Sequence, residues 1–203
     1  MAARAMIERI ATKLSGRGPE RADPTAYDLQ AAVCVMLRPA GAELEFLAIK
    51  RSEKEGDPWS GHMALPGGRR ESGDESLWMT AVRETREEVG IDLLEVGRML
   101  GQLDDVAPQS VRIPAISITP FVVAVEPDVR AGVSPEVERA VWLPVDVLLE
   151  ERHKGLLKLE FAPEREFRTI EYDGDVIWGL TLRILDQLEE VLKRVGYADG
   201  ARG

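Results

Sequence analysis

The chain has 203 residues, with 44% hydrophobic and 31% charged side chains, a profile that fits one globular domain with a proper core and excludes a disordered or fibrous chain. Its 26 Lys+Arg against 36 Asp+Glu give a formal charge of -10, which argues against the broad basic surface that long nucleic acid requires. Apolar stretches fall short of the roughly 18 residues of a membrane helix and the N-terminus lacks the order of a secretory signal, so the expected setting is cytoplasmic with no membrane partner. The lone Cys34 lies in an apolar run and reads as a small buried hydrophobe.

In chain order, Met6, Ile7, Ile10 and Leu14 recur at helical spacing until Gly16, Gly18 and Pro19, which predicts a leading helix from Ala2 to Leu14 and then a linker. Leu29 to Leu37 and Leu44 to Ile49 are apolar runs separated by Pro39 and Gly41, a hairpin of two buried strands. Gly56 to Gly73 reads as loop, and Glu75 to Val89, ended by Gly90, as a strong helix. Beyond it, Gly97 to Leu103 and Ile113 to Val125 read as strands, Pro144 to Leu149 as a short helix, and Leu156 to Phe161 with Phe167 to Tyr172 as a hairpin. Leu180, Ile184, Leu188, Val191, Leu192 and Val195 form the apolar stripe of a closing helix. The pattern predicts an α/β fold: a mixed β-sheet between helices around a central loop-helix-loop. Residues 1–26 read as leading helix and linker, 27–197 as a single domain and 198–203 as a tail.

On the central helix Leu77, Trp78, Ala81, Val82, Thr85 and Val89 share one arc and Glu84, Glu87 and Glu88 a neighbouring one. Like charges at spacings of three and four repel, so a cation should compensate them. Mg²⁺ or Mn²⁺ suits such a face, since a hard ion takes oxygen ligands, keeps waters and bridges carboxylates to phosphate. Arg83 and Arg86 offer the alternative of a solvated face of ion pairs.

The string Gly67-Gly68-Arg69-Arg70-Glu71-Ser72-Gly73-Asp74-Glu75, followed by Arg83-Glu84-Thr85-Arg86-Glu87-Glu88-Val89-Gly90-Ile91, resembles the signature of the Nudix hydrolases. One extra residue leaves Asp74 and Glu75 as alternatives for the first acidic position, and Thr85 stands where the signature has an apolar residue. The resemblance implies an α/β/α sandwich in which Glu84, Glu87, Glu88 and the Gly67 carbonyl hold divalent metal. It makes Glu84 a candidate base with Glu87 beside it, and gives Arg83 an orienting role among the glutamates. Glu136, in Ser134-Pro135-Glu136-Val137, is a further candidate base; the alternative is a surface carboxylate at a helix start capped by Ser134.

The one-residue expansion, with Lys50-Arg51-Ser52, Met63-Ala64-Leu65-Pro66-Gly67-Gly68 and Ile177-Trp178-Gly179-Leu180-Thr181, is similar to the coenzyme A diphosphatase branch of that family. That branch implies hydrolysis of coenzyme A or acyl-coenzyme A to adenosine 3′,5′-bisphosphate and 4′-phosphopantetheine, and a homodimer. The chain departs from it at Trp59-Ser60-Gly61-His62, which keeps ADP-ribose, NADH, a nucleotide sugar or a dinucleoside polyphosphate open as substrate. A binding module that senses nucleotides without cleaving them is the alternative of another class. Lys50, Arg51, Arg69 and Arg70 are candidate phosphate contacts. Trp59 either stacks on a base or anchors its loop, His62 either meets phosphate or holds the loop, and Trp178 reads as a core residue.

Overall fold

A computed structural model of the chain describes residues 2–53, 61–108, 115–159 and 162–197. Trp59 and the tail 198–203 therefore lie outside the described residues. The leading helix α1 (Ala2–Ser15) precedes β1 (Leu29–Ala40) and β2 (Glu43–Arg51). These two pair antiparallel from Leu37↔Phe46 to Ala40↔Glu43, across a turn in which Gly41 takes φ 65°. Two short strands follow, β3 (Met63–Ala64) and β4 (Gly67–Arg69), and then α2 (Leu77–Val89). The chain continues through α3 (Leu93–Val96), β5 (Arg98–Gln102), β6 (Ile116–Ala124), β7 (Val137–Pro144) and α4 (Asp146–Leu149). It closes with β8 (Lys154–Leu159), β9 (Ala162–Tyr172), β10 (Asp175–Trp178) and α5 (Gly179–Arg194).

Seven strands make one mixed sheet along the path β3-β2-β1-β6-β5, with β4 added on β1 and β7 on β2; β1 and β6 run parallel from Leu29↔Ile116 to Leu37↔Ala124. The period-two alternation of these strands sorts their side chains into two cores. Val35, Leu37, Leu44, Phe46, Val122 and Ala124 join α1 and α5 on one face. Cys34, Met36, Leu47, Ile49, Phe121 and Val123 join α2 on the other. The layers are therefore helix, sheet, helix, as the sequence predicts. Burial pushes the Cys34 thiol well above its ordinary range, in keeping with an inert packing role.

Several elements differ from expectation. The helix predicted from Glu75 begins at Leu77, because Ser76 is extended and its Oγ accepts the Met79 N–H, which fixes the helix start one residue further on. The stretch Gly56 to Gly73, expected as loop, contributes β3 and β4, which find their hydrogen-bond partners on β2 and β1. β7 was hidden because Glu138 and Arg139 interrupt its apolar pattern, yet it pairs with β2 from Glu45↔Pro144 to Arg51↔Val137. The hairpin near residues 154–172 gains a third strand, β10, and forms a separate antiparallel sheet in the order β10-β9-β8. Val145 and Pro144 lie before the short helix α4, which starts at Asp146.

Candidate active site

The site is assembled where β1, β4 and α2 meet. Gly67 pairs with Val33 on β1 and takes φ 145°; a Cβ there would lie 2.3 Å from the Ala32 carbonyl oxygen, so only glycine fits. A Cβ on Gly68 would lie 2.5 Å from the Glu84 carboxylate. The two glycines thus let the backbone of β4 press against carboxylates of α2. The Gly67 N–H donates to Glu88 Oε2 at 2.8 Å. Gly90, at φ 71° and with its N–H donating to the Arg86 carbonyl, ends the helix immediately beyond the acidic cluster.

The three glutamates are not equivalent. Glu88 is 4% exposed and belongs to the buried side of α2, whereas Glu84 is half-buried and Glu87 exposed. Burial raises the Glu88 carboxyl to about 7 against the pull of the Gly67 N–H, with the charges of Glu84 and Glu136 adding to the rise and Arg51 opposing it. Burial also raises Glu84, with Arg83 acting in the opposite direction.

Arg83 holds this cluster in place. Its Nε and Nη2 donate to the two oxygens of Asp74 at 3.0 Å each, Nη2 also to the Arg69 carbonyl at 3.0 Å, and Nη1 to Glu84 at 3.0 Å and Glu87 at 3.1 Å. Asp74 accepts further bonds from the Glu71 N–H and the Thr80 hydroxyl, both at 2.9 Å. The Arg83 guanidinium holds the Asp74 carboxyl far below the usual carboxylate range, and Asp74 in turn raises Arg83. Asp74, not the exposed Glu75, is the acid facing the arginine. Thr85 is fully buried, and its hydroxyl has no hydrogen-bond partner among the described residues.

The remaining candidates are divided. Arg51 lies close enough to Glu88 to lower its carboxyl, and its N–H donates to the His62 carbonyl at 3.1 Å. Arg69 and Arg70 point outward, with Arg70 donating to Gln30 at 3.2 Å. Lys50 is turned away to Glu138 at 3.0 Å. His62 packs edge-on against Trp178, with centroids 5.1 Å apart. Trp178 itself is half-buried between His62 and Phe167 rather than enclosed in the core. Glu136 does not start a helix: its N–H meets Ser134 Oγ at 3.3 Å in a turn leading into β7, and its charge acts on both Glu84 and Glu88. Trp59 lies outside the described residues.

Among the described residues no three His, Cys, Asp or Glu side chains converge as a ready metal cage. Two desolvated carboxylates, of which Glu84 raises Glu88 and is itself raised by Glu87 and Glu136, nevertheless suit a hard cation that retains waters and shares its shell with a phosphate.

The NUDIX domain model matches residues 28–161, and the chain belongs to the Nudix family. It is 30% identical over 177 residues to Nudix hydrolase 15, mitochondrial, of Arabidopsis thaliana, an alignment covering 83% of this chain and 59% of that protein. It is also 31% identical over 132 residues to the Nudix hydrolase NudL of Enterobacter sp., covering 63% of this chain and 65% of that one. Both relatives are named as Nudix hydrolases. The chain spans between a third and two thirds of the length of the curated relatives it matches. The same fold is seen in the NUDIX domain of Shewanella oneidensis NrtR, solved with ADP ribose, with a TM-score of 0.54 at 19% identity over 84% of this chain and 94% of that one. No helix among the described residues is long and apolar enough to cross a membrane.

Proposed function

We propose that the domain hydrolyses a diphosphate bond in a nucleoside diphosphate derivative, with Mg²⁺ or Mn²⁺ held by Glu84, Glu87, Glu88 and the Gly67 carbonyl. The observation that carries the reading is the pair Glu84 and Glu88, mutually repelling and desolvated against a glycine backbone that leaves no room for side chains. When bound, the divalent ion would polarise a phosphoryl oxygen and neutralise charge on the leaving phosphate. Arg83 fixes the carboxylates of Glu84 and Glu87 while Asp74 holds Arg83; for Glu87 to turn to the metal it leaves its bond to the arginine. Glu84, with a carboxyl raised by burial, is suited to take the proton of an attacking water, and Glu136 is the alternative base across the cluster. Arg51, whose charge acts on Glu88, would meet the substrate phosphates.

The preferred substrate is coenzyme A or acyl-coenzyme A, giving adenosine 3′,5′-bisphosphate and (acyl) 4′-phosphopantetheine, supported by the expanded box and the sequences flanking it. The second reading, ADP-ribose, NADH, a nucleotide sugar or a dinucleoside polyphosphate, is favoured by the departure at Trp59-Ser60-Gly61-His62. A mass-spectrometric product assay over these compounds with Mg²⁺ or Mn²⁺ decides between them. EDTA, Glu87→Gln and Glu88→Gln should each lower turnover by at least tenfold; full activity in a purified variant would remove that residue from the metal site.

A further inference from the structure

We propose that the outer face of the small sheet is a nucleobase platform: Phe167 and Trp178, edged by Arg165 and His62, receive the base of the nucleoside diphosphate whose phosphates reach Glu84 and Glu88. This rests on the diphosphatase reading and names the part of the molecule that selects the nucleoside end.

The register of the small sheet builds the platform. Trp178 lies opposite Thr169, and Ile177 opposite Ile170. Alternation therefore sends Ile170 and Ile177 into the main core, where they are 3% and 1% exposed, and leaves Phe167 and Trp178 as diagonal neighbours on the other face. Those two rings meet edge-to-face with centroids 5.7 Å apart, and both remain half-buried rather than enclosed. Two residues before Phe167, the exposed Arg165 sets its guanidinium over the Phe167 ring, 4.9 Å from its centroid. Aromatic faces beside an arginine are the chemistry that stacks a base and attracts the anionic group carried on it.

Two connections tie this face to the carboxylates. His62 contacts the Trp178 ring, and its carbonyl accepts the N–H of Arg51, whose charge acts on Glu88. From His62 the chain runs through β3 to Gly67, the residue bonded to Glu88, a path of at most ~17 Å when extended. Asp175 at the start of β10 is bound by Arg139 of β7, which fixes the small sheet against the large one. A ligand with phosphates at Glu84 and Glu88 and a base at one end would therefore have an aromatic wall on the His62 side.

The test is calorimetric titration of the full chain in Mg²⁺ with ADP and, separately, with inorganic pyrophosphate. Phe167→Leu keeps apolar volume and Arg165→Ala alters an exposed side chain, so both variants should fold, which circular dichroism checks. The expected result is tighter binding of ADP than of pyrophosphate by the wild type, a Kd for ADP raised about tenfold in each variant, and an unchanged Kd for pyrophosphate. Wild-type protein that binds both ligands equally would overturn the platform, as would an ADP affinity unmoved in both variants or lost in parallel with pyrophosphate. If the wild type cleaves no diphosphate but the ADP-specific loss is seen, the hydrolytic reading fails and the platform stands.

Discussion

Glu88 shows how one side chain carries both a cost and a use. Its carboxyl is raised from the ordinary glutamate value to about 7, so between those values the folded chain holds a proton that the unfolded chain releases. The stability this confers is present below the unfolded value and is lost as pH rises through about 7. In EDTA the wild type should therefore lose several degrees of melting temperature from pH 5 to pH 8 relative to Glu88→Gln, on the order of 3 kcal/mol at most. Scanning calorimetry of the two proteins reads this directly, and parallel pH profiles would count against the buried, raised carboxyl. Asp74 lies at the opposite extreme, an ion fully engaged by Arg83, Thr80 and the Glu71 backbone. Asp74→Asn should cost about 1.5 to 3 kcal/mol in denaturant unfolding, whereas Glu75→Gln should change stability by less than about 0.5 kcal/mol. Of the two acids that the extra residue leaves open in the sequence, Asp74 is the one the fold turns toward Arg83.

At the scale of elements, β4 and α2 are matched by absence of side chain rather than by packing of one. The two glycines of β4 make distinct demands. At Gly67 the obstacle is the β1 backbone combined with a positive φ, so Gly67→Ala should destabilise the protein by several kcal/mol or prevent folding. At Gly68 the obstacle is the tip of Glu84, which can swing aside. Gly68→Ala should retain most of the stability but reduce turnover at least tenfold, because the displaced carboxylate is the one assigned to the base and the metal. Thermal melts and kcat measured on the same preparations separate the two effects. The box glycines and glutamates are readable from spacing because local geometry fixes them. β7 was not, since its Glu138 and Arg139 gain their partners Lys50 and Asp175 only after distant segments meet.

Across the whole molecule, α1 is part of the body: Ala3, Met6, Ile7, Ile10 and Leu14 are buried in the same core as α5 and one face of the large sheet. The segment after it is tied down by Arg17 to Asp104 and by Arg21 to Asp105. Ile10, fully buried, should cost about 2 to 5 kcal/mol when changed to Ala, measured by chemical denaturation; a change below 1 kcal/mol would mean that the helix detaches. The sequence alone determined the layered α/β architecture, the hairpin, the central helix and its acidic face, because hydrophobic period, glycine turns and charge spacing act over neighbouring residues. Tertiary structure alone decided that Glu88 is buried while Glu87 is exposed, that Asp74 takes Arg83, and that Phe167 and Trp178 share an outer face near His62. Those outcomes depend on strand register and on what packs across from each side chain, and neither is encoded in any local stretch of chain.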